Sequence, residues 1–232
     1  MDPDRRKSIG RLLAGWGAGL SAAWPSLGQA LELSQADASA GVKAALDRGA
    51  DAAGSLLGRP DGFLGNPKVR IPLPAGLESA TKLLKMTGQS QRVDELVTAM
   101  NRAAEAAVPA ARPLLKQAIR QMTVADAKQI ISGGDTSVTD FFAAKTRAPL
   151  TERFLPIVTE QTERLALAQQ YNAVAGQAAS YGLVKKEDAN VQQYVTRKAL
   201  DGLFLMIAEE ERKIRQDPVG TGSAILKKVF GG

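Results

Sequence analysis

The chain has 232 residues, 44% of them hydrophobic, with 30 Lys+Arg against 24 Asp+Glu and neither cysteine nor histidine. Without thiols there is no disulfide framework and no cysteine for a lipid anchor, and without imidazole there is no Ser-His-Asp device and no commonest ligand for zinc, copper or non-haem iron. The net charge of +6 is too mild to argue for nucleic acid, since no Lys/Arg cluster is interleaved with aromatics.

The first thirty residues carry Arg5-Arg6-Lys7, an apolar run from Ile9 to Trp24, then Pro25 and Gly28-Gln29-Ala30. A charged start, a short apolar middle and a small-residue exit predict an export signal cut after Ala30. The run is shorter than the ~20 apolar residues that span a hydrocarbon core, which argues against a permanent membrane anchor. Arg5 and Arg6 followed by Ile9 resemble a twin-arginine signal. Asp4 before the pair and Ser8 after it depart from that pattern, so the general secretory route stays open, as does an amphipathic helix packed on the domain. Arg5, Arg6, Lys7 and Arg11 would leave with Asp2 and Asp4, so the mature chain would hold 26 basic and 22 acidic residues.

From Ser34 to Leu57, Ala, Val and Leu recur at helical spacing, and Gly58 and Pro60 end the segment. Pro60-Asp61-Gly62 signals a turn. Val69, Ile71 and Leu73 then alternate with Lys68, Arg70 and Pro72, and the prolines at 67, 72 and 74 restrict residues 66–74 to a short extended arm or an edge strand. Such an arm either closes the core or offers an edge to a partner, and core closure is the reading we favour.

Helical character resumes from Leu77 to Met86 and again from Ser90 to Val108. Pro109 and Pro113 suit a first helical turn. Leu114, Leu115, Ala118, Ile119 and Met122 form the next apolar stripe. Thr123 to Asp126 is a variant capping box that opens a short helix closed by Gly133-Gly134, and Ser137 to Asp140 repeats the device. Pro149 suits a helix start, and Leu150 through Tyr181 predicts one long helix or two, with Pro156 as a kink or a restart. A helix follows from near Asn190 to Asp217-Pro218, with Gln193 as capping partner, and another from Thr221 to Phe230. The expected class is all-α, a multi-helix bundle over residues 31–232 as a single domain.

The segment from Tyr194 to Arg215 is the richest in chemistry. At 100° per residue, Leu200, Leu203, Ile207 and Ile214 share one side, and Tyr194, Lys198, Asp201, Leu205 and Arg212 the other. Leu203 to Ile207 is apolar all round and predicts a helix central to the fold. Glu210 falls in the arc of Leu203 and Ile207, so its carboxylate is expected to meet a cation or to become protonated in a pocket. Arg197 and Lys198 lie within pairing reach of Asp201. Glu210, Asp201, Tyr194 and Arg197 are therefore the candidate ligand-binding residues. Glu209-Glu210-Glu211 is a weak metal signal, because three consecutive helical residues point apart and hard cations want converging oxygens; no metal or cofactor is expected.

The stretches GRPDGFLGNPKVRIPLP at 58–74, MTVADAKQIISGGDTSVTDFF at 122–142, APLTERFLPIV at 148–158, YVTRKALDGLFLMIAEEERKIRQDP at 194–218 and ILKKVFG at 225–231 together resemble an exported bacterial family, domain of unknown function 4197. The resemblance covers nearly all of the mature chain. It implies a helical exported domain and carries no reaction, substrate or site residue.

These readings predict a periplasmic helical protein of the bacterial envelope acting as a non-enzymatic binding or interaction module. Its partner would be an apolar small molecule held between helices or a protein on the surface. The alternative is a carboxylate-dependent hydrolase or lyase. Glu210 and Asp201 face opposite ways on one helix, so that alternative requires Glu210 to line an enclosed pocket with an acid of another helix ~5 to 10 Å away.

Overall fold

The computed structural model describes residues 35–217 apart from 75–76, 78–80, 83–85, 87, 89 and 164–165. The expected export signal with Arg5, Arg6 and Ala30, and the expected helix from 221 to 230, lie outside the described residues. Helix α1 spans Gln35–Leu57, α2 Ser90–Ala107, α3 Ala111–Gln121, α4 Val124–Ser132, α5 Ser137–Thr162, α6 Ala166–Ser180 and α7 Val191–Gln216. Single 3-10 turns, Val108–Ala110 and Lys186–Asp188, precede α3 and α7. Among the described residues there is no strand, and no helix is long and apolar enough to cross a membrane.

Helix α7 is the centre of the bundle, with α1, α2 and α5 packed against it. Val195, Ala199, Leu200 and Leu203 are wholly buried, as the apolar run predicts, and Leu205 alone of the run from 203 to 207 is exposed. Against this helix α1 lays Val42, Leu46, Ala50, Ala53 and Leu57, spaced three or four apart and buried. The contact with α7 is close at Gly202, where an added Cβ would come within 2.8 Å of the Phe63 ring.

Phe63 belongs to the connection after α1, which is fastened by buried polar side chains. Gly62 has no room for a side chain, since a Cβ there would meet the Leu57 carbonyl at 2.4 Å. Beside it Asp61 takes a left-handed φ of 63° and accepts a hydrogen bond from Arg102. The Phe63 and Leu64 amides donate to the carboxylate of Glu105, which is buried in α2. One turn earlier on α2, Asn101 accepts from the Ile71 amide at 2.8 Å and donates to the Ile71 carbonyl at 2.9 Å, as a neighbouring strand would. Residues 66–69 form a turn and 70–74 run extended. Val69 and Ile71 point inward and Lys68, Arg70 and Pro72 outward. The arm therefore closes the core.

Two expectations in the second half are corrected. Thr123 and Asp126 do form a reciprocal capping box, and the bonds from Thr123 hold the Asp126 carboxyl below its usual range. Ser137 to Asp140 does not repeat it. Ser137 lies inside α5 and bonds the Ile130 carbonyl, while the N-terminus of α5 is capped by Glu211 of α7, seventy-two residues or more away. Its two carboxylate oxygens accept from the Val138 and Thr139 amides and the Thr139 hydroxyl at 3.0 Å each.

The second correction concerns the prolines. Pro149 and Pro156 both lie within α5, and neither starts or ends a helix. The carbonyls they leave without a donor belong to Lys145 and Glu152, both exposed, where water can serve. The buried residues of α5 explain its continuity: Val138, Phe142, Thr146, Leu150, Phe154, Val158 and Thr162 recur every four positions. Each such step turns the stripe by about 40° around the helix, so the two ends of α5 face different neighbours.

Candidate functional site

The start of α7 is set by two side chains. Asn190 accepts from the Gln193 amide at 3.0 Å, and Asn172 of α6 accepts from the Val191 amide at 2.8 Å. From that start, Tyr194, Arg197 and Asp201 fall on successive turns of one face. They meet Asp188 from the 3-10 turn and Arg147 from α5.

Arg197 donates to Asp188 through Nη2 and lies 3.8 Å from Asp201 through Nη1. Arg147 Nη1 donates to the other oxygen of Asp201 at 2.9 Å. Each guanidinium also covers a ring, Arg197 that of Tyr194 at 5.6 Å and Arg147 that of Phe204 at 4.9 Å. Two cations and two carboxylates thus alternate across the junction of α5 and α7, and each aspartate has an arginine beside it.

Two phenols close the other side. Tyr194 donates to the Pro72 carbonyl at 2.9 Å and Tyr171 to the Asp188 carbonyl at 2.7 Å. Burial pushes the Tyr194 hydroxyl up to about 12, and burial with the nearby Tyr194 and Asp188 pushes Tyr171 up as well. Both are fixed neutral donors, not bases.

Next to this cluster a cleft of about 390 Å³ opens between Thr151 and Leu155 of α5, Glu187, and Gln193, Thr196 and Leu200 of α7. Behind its wall, Thr196 Oγ1 and Arg197 Nε are buried with no hydrogen-bond partner among the described residues. Buried polar groups in folded proteins are nearly always paired, so these two are exceptions.

The structure brings together three of the four residues singled out from the sequence, Tyr194, Arg197 and Asp201. Glu210 is elsewhere: its carboxylate, partly exposed, accepts from Lys213 at 2.6 Å and raises the lysine's pKa. The carboxylate that α7 buries is the next one, Glu211. Glu209, Glu210 and Glu211 each meet a different cation, Lys68, Lys213 and Arg215, so they do not converge. Among the described residues no group of three acidic side chains is placed to hold a metal ion. Sequence reasoning missed Arg147, Asp188 and Thr196. Arg147 lies fifty-four residues from its partner, and only Asp188, nine residues before Arg197, had a local signal in the 3-10 turn that leads into α7.

Two further clefts of about 400 Å³ flank α3, one against α5 at Leu114 and Phe141 and one against α1 at Ala50 and Gly54. Glu210 lines none of the three, so the carboxylate pair that a hydrolase reading requires of it is not formed there.

A family model described as a protein of unknown function, DUF4197, matches residues 32–231. Neither the curated proteins nor the solved structures give a match. With the match running through α1, the arm, the helix pair of the cleft and all of α7, the chain belongs to the DUF4197 family.

Proposed function

We propose that the protein is an exported, periplasmic binding module of the bacterial envelope, holding a small ligand in the cleft between α5 and α7. The observation that carries this reading is the cleft itself, about 390 Å³, where the partly exposed Arg147, Arg197 and Thr151 stand beside Leu155. Pockets of this size, apolar with a few convergent polar groups, are the usual form of a small-molecule site. Both aspartates of the cluster sit against arginines, an arrangement that suits recognition better than proton transfer. Export is supported by the arginine pair, short apolar run and Gly28-Gln29-Ala30 exit of the first thirty residues.

Native mass spectrometry of the protein taken from its own periplasm tests both halves. The expected result is a chain beginning at Leu31 that carries a bound small molecule. Absence of the chain from the periplasmic fraction would refute export, a chain retaining Met1 would refute cleavage after Ala30, and one with no adduct at native concentration would refute binding.

A further inference from the structure

We infer that the C-terminal tip of α6 docks on the surface of a phospholipid bilayer rich in anionic headgroups. This goes beyond the cleft reading and does not depend on it. Tyr181 and Leu183 are 74% and 68% exposed, and Val174, two turns earlier on the same face of α6, is 48% exposed. Neighbouring apolar side chains left in water on one face mark an interaction site. The tip is also held in place. Gly182, at a left-handed φ of 75°, closes α6 in a Schellman turn, and Val184 behind it is buried in the core.

Hydrogen bonding and charge select the occupant. A segment that enters a bilayer must satisfy its own backbone, because hydrocarbon offers neither donor nor acceptor. The Tyr181 and Leu183 amides both donate to the Ala178 carbonyl and the Gly182 amide to that of Ala179, at 3.0 to 3.2 Å, and the Ser180 hydroxyl bonds the Gln177 carbonyl. No side chain between Arg164 and Lys185 is charged, so none has to be desolvated. From 164 to 186 the sequence has no carboxylate, and its charged residues there, Arg164, Lys185 and Lys186, are all basic. Beyond them Glu187 lies 3.9 Å from Lys185 and Asp188 is held by Arg197, which leaves Lys186 without an acid among the described residues. A leucine to insert, a phenol for the headgroup level and lysines directly behind them match an anionic interface.

The test exploits the lack of cysteine in the chain. The full chain is labelled with an environment-sensitive fluorophore at Gln177→Cys, one turn before Tyr181, or at Asp135→Cys, exposed in the α4–α5 turn at the other end of α7. On vesicles of equal parts phosphatidylglycerol and phosphatidylcholine, the label at 177 is expected to shift to the blue and the label at 135 to stay. Tyr181→Ser with Leu183→Ser is expected to weaken this binding about tenfold or more through the apolar area lost, while the midpoint of thermal unfolding stays, since both side chains are in water. Lys185→Gln with Lys186→Gln, or phosphatidylcholine alone, is expected to weaken it about tenfold. No shift at 177, whether or not the chain binds through its first thirty residues, overturns the proposal, as does an equal shift of both labels. A blue shift at 177 that grows with protein concentration without vesicles, together with a doubled mass, assigns the tip to a second copy of the chain and overturns the bilayer.

Discussion

Replacing Glu211 by alanine and, separately, Glu210 by alanine places neighbouring glutamates of one helix in direct contrast. Glu211 holds the Val138 and Thr139 amides and the Thr139 hydroxyl at the start of α5, and pairs with Arg215, whose side chain is 16% exposed. Breaking a buried pair by removing one partner typically costs about 3–5 kcal/mol, and the orphaned amides fall within that range once water enters. Some water can: a void of about 10 Å³ beside Ala45, Gly49 and Ile207 already borders the carboxylate, and truncation enlarges it. Glu210 meets Lys213 on a partly exposed face, where an intrahelical pair gives about 0–0.5 kcal/mol. Urea unfolding followed by far-ultraviolet circular dichroism measures both. Glu211→Ala is expected to lose a fifth or more of a stability of ~5–15 kcal/mol at unchanged denaturant slope, and Glu210→Ala to overlay the parent. Equal losses would refute the assignment of Glu211 as the cap of α5.

Asn101→Ala removes both bonds to Ile71 and is expected to cost roughly 2–3 kcal/mol, with hydrogen exchange at the Ile71 amide accelerating more than at the helix amides of α2. Gly202→Ala forces its methyl to within 2.8 Å of Phe63 and is expected to cost about 1–3 kcal/mol, read as a lower urea midpoint. Tyr171 and Tyr194 have folded pKa values raised above the unfolded 10.0, so their contribution is complete below pH 10 and is lost as pH rises toward 12 and beyond. Alkaline titration is therefore expected to unfold the protein above pH 10, the tyrosinate absorbance rising together with loss of helix, and Tyr194→Phe is expected to flatten this dependence.

The helices were legible because most of them lay one stripe on a common core, and the local caps at Thr123 and Asn190 are written within three residues of sequence. What escaped was set by residues far apart. Ser137 to Asp140 has the composition of a capping box, but Glu211 and Arg215 reach the same end of α5 and supersede it. Pro149 was misread as a helix start, and Pro156 stayed open between a kink and a restart, because the four-residue stripe of α5 winds around its axis and gives no single apolar face. The placement of Glu210 was one position out: the wheel put the burial on Glu210, whereas the N-terminus of α5 meets Glu211. Tyr194 was placed on the polar side of α7, and only the arm crossing above it, through Pro72, makes that side an interior.

The helix that fills the middle of the bundle is also, in chain order, the last of those described. Until residues 191–216 leave the ribosome, α1, α2 and α5 can pack only on one another and on α3 and α4, and the surfaces that meet α7 stay wet. The core of the nascent chain is therefore completed only when this last helix is added. The N-terminal portion depends for its shape on amino acids added more than a hundred positions afterwards.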